Sequence, residues 1–598
     1  MTEVEASVHV SDDAVAPETG SPKSAFLGVS VSALLAACGG GGGSDPSAAS
    51  QTTPATTTSS APQPRFKYVA AGTDNEAARF LLQAQFSATD ADISAVRSAG
   101  FEAWLQKQLA LPIGTTGWQW LDAKGYGDVL SPSNYYDTAV PADYMAWSQL
   151  MISSDVVRKR MALALSEFFV VSSYGLDIEW RSHAMAHYWD TLNTHAFGNY
   201  RDALEAITLN VAMGFYLNTR GNKKADSRGS QPDENYAREV MQLFSVGLVL
   251  LNLDGTPKLA NGVTTDTYTS SDVSNLAQVF TGYDIDGTQR VETTIAQSGG
   301  GTRKVGNTAY TRLPMLQVGN NHSFLAANFL GASVPANATA KDALKIALDT
   351  LFNHPNTAPF FCKQMIQRLV TSNPTPAYVG RVAAVFVDNG KGVRGDLAAV
   401  WMAILLDDEA RGPEGLTQPE FGKLREPMVR FVQWVRTFGG ASATNAWRIN
   451  DLSNAATSLG QSPLRSPSVF NFFRPGYVPA ATTLSAGAVA PEFQLVNESS
   501  VGGYLNFMMS VIGSGLNSGD IRAAYTAELA LVTDAQTLVQ RLNTVLCAGQ
   551  ISAATQTLVV GALNATPVTT ASTLAVKNNR VYAAVLMVMA CSEYLIQK

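Results

Sequence analysis

Four polar side chains fall within about a turn and a half of one expected helix: Glu234, Asn235, Arg238 and Glu239. On a helix, Glu234 and Arg238 stand at i and i+4 in the favourable acid-first order, and Asn235 and Glu239 repeat that spacing on the adjacent stripe. Two carboxylates, an amide and a guanidinium near a helix N-terminus suit general acid/base chemistry or recognition of a polar ligand. In that reading Glu234 and Glu239 are the catalytic candidates, and Asn235 and Arg238 orient substrate. The same four residues also fit a polar network that locks the helix to its neighbours, with Glu234 complementing the helix dipole.

The other chemistry-bearing residues are scattered. His183 and His187 have a spacing that can chelate one metal ion. Asp190 continues their stripe, but it lies about 10 Å along the axis from His183, so the three cannot share an ion. A site would need His195, Glu167 or His322 from elsewhere, and we assign no metal. His322 ends a long excursion and is a candidate substrate-binding residue, because loops on rigid scaffolds carry function. Lys423, Arg425, Arg465 and Arg474 form a basic set around Glu426. Arginine forks bind carboxylate, sulfate and phosphate, which makes Arg425 and Arg474 substrate-binding candidates in an anion pocket. The simpler expectation is internal pairing with Glu426, Glu492 and Glu498. The chain has no HExxH, no CxxC, no EF-hand loop, no Walker or dinucleotide fingerprint and no nucleophile elbow.

Helices must position these groups. Apolar residues recur at helical spacing over Glu76 to Ala110 and Val156 to Phe169, and Leu204, Ile207 and Val211 mark one buried face. Glu234 to Val246 predicts a helix closed by Gly247. Thr269 with Asp272 predicts a capping box ahead of Val273, Leu276 and Phe280. Further helices are expected over Lys341–Asn353, Ala358–Val370, Ala377–Val387 and Leu397–Asp407. There is no βαβ rhythm. The exception is residues 283–330, rich in Thr, Val, Gly and Gln, where we expect one or two hairpins. The expected fold is mainly α: a large multi-helix array over residues 66–508, the β-hairpin-like excursion, and a helical C-terminal unit over 509–598.

The N-terminus addresses compartment. Ala25 to Ala37 is an apolar run too short to span a membrane but sized for a signal-peptide core. Leu35-Ala36-Ala37-Cys38 resembles a bacterial lipobox, which implies a signal peptide over residues 1–38, lipidation at Cys38 and a membrane anchor. Only Lys23 is basic before the core, where acidic residues dominate. Residues 39–65, rich in Gly, Ser, Thr and Pro, read as a flexible tether. Gly39 after the cysteine resembles outer-membrane sorting, so the expected location is exported, as an outer-membrane lipoprotein or in the periplasm or at the cell surface. A net charge of −7 without a long basic run argues against nucleic acid as partner. Hydrophobic residues make up 46% and charged residues 15%, which excludes a disordered chain. With Cys38 lipidated, Cys547 and Cys591 are the expected pair for any disulfide, and Cys362 reads as a buried apolar residue.

Several ordered segments carry a family resemblance. They include Asn235-Tyr236-Ala237-Arg238-Glu239, Phe280-Thr281-Gly282-Tyr283, Phe352-Asn353-His354-Pro355 and Gln367-Arg368-Leu369-Val370-Thr371-Ser372. They continue with Lys423-Leu424-Arg425-Glu426-Pro427 and with Ser466 to Tyr477. Over roughly Ala77 to Met508 the chain resembles the bacterial family catalogued as domain of unknown function 1800. Many members carry Trp-His-Asn-His-Phe where this chain has Leu165-Ser166-Glu167-Phe168-Phe169, so histidine chemistry there is not expected here. The resemblance implies a possible exported partner from the family catalogued as domain of unknown function 1501, which looks like a sulfatase or phosphatase relative. Two functions follow as expectations. One is an envelope-anchored hydrolase acting on a surface polymer or its decorations, with His322 on a lid. The other is a non-catalytic binding or assembly factor for an exported partner or glycan. A shared open pocket for Glu234, Arg238, Glu239 and His322 would favour the hydrolase.

Overall fold

A computed structural model describes residues 66–598, apart from 298, 481, 483 and 485–487. The signal, lipidation and tether expected over residues 1–65 lie outside the described residues. The described chain is mainly α, with 24 α-helices and six two-stranded antiparallel pairs. No helix among the described residues is long and apolar enough to cross a membrane.

Local signals explain most helix ends. Thr89 and Asp92 form a capping box on Asp90–Ala99, and Thr269 with Asp272 forms the expected one on Ser270–Val279. Val273, Leu276 and Phe280 are buried behind it. The apolar run from Glu76 to Ala110 is not one helix but three: Asp74–Ala84, Asp90–Ala99 and Phe101–Leu109. Thr89 restarts the chain by capping, and Gly100, at φ 81°, turns it in a conformation that side chains disfavour.

The excursion follows the expected hairpin chemistry. Glu292–Ala296 pairs with Thr302–Gly306, and that hairpin lies within the pairing of Tyr283–Asp284 with Leu316–Gln317. A third pair joins Ala327–Phe329 to Ala332–Val334. The long hairpin does not stand free of the helices. Glu179 accepts from Arg303 at 3.2 Å, Arg290 at 3.3 Å and the Gly306 amide at 3.2 Å, and Trp180 donates to the Gly306 carbonyl.

The C-terminal helices belong to the main body. The described residues from 66 to 598 form one compact unit with one contiguous core. The boundary expected at residue 508 falls inside the Glu498–Ser514 helix, whose Tyr504, Met508 and Val511 enter that core. The chain end returns as well, since Ile596–Gln597 pairs antiparallel with Lys423–Leu424. Cys362, Cys547 and Cys591 are free thiols, so Cys547 and Cys591, the pair expected for any disulfide, are not bonded.

Candidate functional site

The helix that carries the four polar residues spans Asn235–Gln242 and starts one residue later than expected, with Glu234 at its N-cap. Glu234 accepts from Arg238 at 3.0 Å and from the Ser274 hydroxyl at 2.5 Å, both near the surface. Glu239 turns the other way. It is buried, its Oε2 has no hydrogen-bond partner, and burial raises its carboxyl above the usual value against the pull of Arg238. Asn235 is half-buried at the helix start.

His322 is buried beside a different element. Its Nδ1 donates to the Thr281 carbonyl at 3.0 Å and its ring meets Phe324 edge-on, while burial lowers its pKa. Gly282 makes this contact possible: a Cβ there would stand 2.7 Å from the His322 amide. His322 is therefore sealed against the loop base, not poised on a lid. His183 meets Asp122 at 3.2 Å, and Asp190 caps the Gly117–Ala123 helix by accepting from the Gly117 and Trp118 amides. No group of three or more metal-ligating side chains occurs among the described residues.

Most of the basic set pairs internally. Lys423 reaches Glu492 at 2.9 Å and Glu426 at 3.4 Å, and Arg465 grips Asp143 through two 2.7 Å bonds. Asp143, the partner of Arg465, lies outside the acidic set expected for this group. Arg425 is buried, donates to Gln433 and the Leu546 carbonyl, and lies over the Tyr594 ring. Arg474 is exposed over Phe470.

The chemically loaded centre lies around Glu167, which ends the Val156–Ser166 helix. Glu167, Glu426 and Glu492 are buried there with Arg160, Arg368 and Lys423. The carbonyl of Arg368, at the last turn of Thr357–Leu369, accepts from Arg160 and Lys423 at 2.7 Å each. Two cations thereby satisfy a helix C-terminus, where negative potential gathers. Arg368 in turn donates to the Glu167 carbonyl at 2.9 Å. Pro427 opens the Pro427–Thr437 helix and keeps Glu426 extended, as a residue before proline must be.

Two carboxyls in this cluster titrate apart. Burial, then the Glu426 charge, drives the Glu167 carboxyl well above the usual range. Burial also works to raise Glu426, but Lys423 and the hydrogen bond from Glu167 hold it below its usual value. The two carboxyls are thus pushed in opposite directions, Glu167 up and Glu426 down, and Arg368 Nε stands 3.5 Å from Glu167 Oε2.

A cavity of about 450 Å³ opens beside this cluster. Phe168, Leu248, Phe360 and Val469 make its walls apolar, Glu167 and Arg368 stand at its charged side, and Lys363 and Arg474 supply further cations. The volume is within the range of small-molecule sites. Gln242 and Leu243, one turn beyond Glu239, contribute to the wall, whereas Glu234, Glu239 and His322 do not line it. Segments far apart in sequence meet here: 167–170, 242–255, 360–368 and 469–476. The sequence flagged Arg474 but not Glu167, Arg160 or Arg368 as the charged centre. One signal was available: Arg158, Lys159 and Arg160 occupy a helix whose run from Val157 to Ser166 is entirely buried.

A family model described as "Protein of unknown function (DUF1800)" matches residues 79–596. No curated protein and no solved structure matches the chain.

Proposed function

Given that the chain belongs to the DUF1800 family, we propose that it is a non-catalytic binding protein of the cell envelope that holds an amphipathic ligand. The ligand's aliphatic body occupies the cavity beside Phe168, Phe360 and Val469, and an anionic end meets Lys363 or Arg474. The observation that carries this reading is the apolar cavity itself, walled by four separate segments and flanked by cations. The envelope location rests on the apolar run Ala25 to Ala37 and on Cys38. An exported, lipid-modified partner would present such a ligand, which keeps the assembly-factor reading and its candidate partner family in play.

The test is a fluorescence titration of the full chain with dansyl-undecanoate, competed by unlabelled laurate. Saturable micromolar binding, about −8 kcal/mol, is expected. Leu248→Glu sets a charge on an exposed wall residue and should weaken binding about tenfold or more. Absent saturation, or equal affinity in L248E, would defeat the proposal.

One observation favours hydrolysis as a second reading. A carboxyl held above its usual range beside one held below it is the arrangement of a general acid and its base. A polymer-hydrolase screen with Glu167→Gln and Glu239→Gln separates the two candidate centres. Turnover lost only in E167Q would place the chemistry at the cavity, and turnover lost only in E239Q would place it on the Asn235–Gln242 helix.

A further inference from the structure

Arg79 and Arg411 are buried side by side, yet neither forms an ion pair with an Asp or Glu side chain among the described residues. Arg79 lies on the Asp74–Ala84 helix, and Arg411 ends the short Asp408–Arg411 helix. Arg79 donates to the carbonyls of Arg411 at 3.2 Å and Gly412 at 2.7 Å and to the main-chain oxygen of Lys598 at 3.2 Å, and Arg411 donates to the neutral Gln83 amide oxygen. Arg79 Nη2 and Arg411 Nε have no partner.

Both arginines line a cavity of about 820 Å³, and Lys598 adds a third cation. The two acids on the same wall are engaged elsewhere. Glu76 accepts from the Gly72 amide at 2.7 Å, and Glu593 accepts from the hydroxyls of Ser552, Thr555 and Ser592. Glu414 acts on Arg79 from the adjacent turn, but the charges felt by Arg411 are those of Arg79 and Tyr378.

We propose that this cavity binds a small oxyanion, a phosphate, sulfate or carboxylate group, either free or carried on a larger molecule. Guanidinium forks match the geometry of such groups and hold them bidentately. Two buried like charges repel one another, and an anion between them removes that repulsion while satisfying unpartnered N–H groups. Burial lowers Arg79 to about 10, and burial together with Arg79 lowers Arg411 further, which is the cost the anion offsets. The site is built from the Asp74–Ala84 helix, the turn at Arg411 and the chain end near Lys598, and shares no lining residue with the apolar cavity. It is also not the anion pocket expected from Lys423, Arg425, Arg465 and Arg474, of which Lys423 and Arg465 are paired with buried carboxylates.

Calorimetry on the full chain, with inorganic phosphate, inorganic sulfate and citrate at matched ionic strength, tests the proposal. At least one should bind saturably, and the three arms tell which oxyanion class the site prefers. Arg411→Gln should weaken that binding about tenfold or more, Arg411→Lys should restore part of it, and Lys345→Gln, at a distant exposed ion pair, should leave it unchanged. If R411Q does not fold, Lys598→Gln at the same cavity should weaken binding at least about threefold. The proposal is overturned if none of the three anions binds, if R411Q binds as tightly as the native chain, or, where R411Q does not fold, if K598Q does.

Discussion

Glu167 ends a helix that carries three basic residues inside the protein, and its carboxyl is held well above its usual range because burial and Glu426 both oppose its charge. The sign of the linkage follows. Its folded-state pKa lies above the ordinary 4.5, so the folded chain binds more protons than the unfolded chain over that window. This contribution to stability is full below 4.5 and is lost as pH rises toward the folded value, at up to about 1.4 kcal/mol per pH unit. Glu167→Gln mimics the neutral acid and should gain on the native protein as pH rises above 4.5. Urea melts from pH 4 to pH 8 would show this, and a constant gap would contradict the raised carboxyl pKa. Lys423 is the shared cation of Glu426 and Glu492, and Lys423→Met should cost about 3–5 kcal/mol by leaving buried carboxylates unpaired. A melt within about 1 kcal/mol of the native one would rule that out. Arg238→Ala should cost only about 0.3–0.5 kcal/mol, since its pairing with Glu234 is an exposed helical ion pair.

Among the elements, the Ser270–Val279 helix shows how local chemistry serves a distant contact. Thr269 and Asp272 cap its start, and Asp272 also accepts from the Leu330 amide at 2.8 Å, which ties the hairpin residues to the helix. Thr269→Ala should cost about 1 kcal/mol. Hydrogen exchange should accelerate at Asp272 and Val273, with a smaller effect at Leu330; protection unchanged at all three would mean the cap carries no stability. The resemblance-bearing segment Phe352-Asn353-His354-Pro355 has a comparable structural role. The Phe352 and His354 carbonyls accept from Arg394, and the Asn356 side chain just beyond bonds the Val246 and Val249 carbonyls. Many of the residues that carry the family resemblance therefore hold elements in register, and those of 360–368 and 469–476 also shape a cavity.

Across the molecule, the chain end closes the charged cluster from behind. Gln597 pairs in register with Lys423, Arg425 donates its amide to the Leu595 carbonyl, and Tyr594 donates to Gln433. Deleting residues 591–598 removes the strand that holds Lys423 in place, so the loss should spread to Glu426 and Glu492. The deletion should lower the melting temperature and open the 469–476 segment to protease. Cleavage confined to the C-terminal helices would show that these residues stabilise only their own neighbourhood.

The sequence by itself determined the helices, because their signals are local. Thr269 with Asp272 needs only its own turn to form a cap, and the apolar period of Lys341–Asn353 needs only its own helix. The free-standing look of residues 283–330 and the separateness of 509–598 were corrected by contacts that no local pattern contains, from Glu179 to Arg303 and from Ile596 to Leu424. The four polar residues at Glu234, Asn235, Arg238 and Glu239 were legible as a charged helix start, yet their common spacing did not make a common site. Glu234 faces Ser274, while Glu239 is buried with its Oε2 unpartnered. The pairing of Lys423 with Glu426 and Glu492 was legible in the sequence, but the joining of Glu167, Arg160 and Arg368 to them was decided by tertiary structure. Glu167, Arg368 and Glu426 are far apart in the chain, and the pKa of each depends on desolvation and on charges that only folding brings alongside.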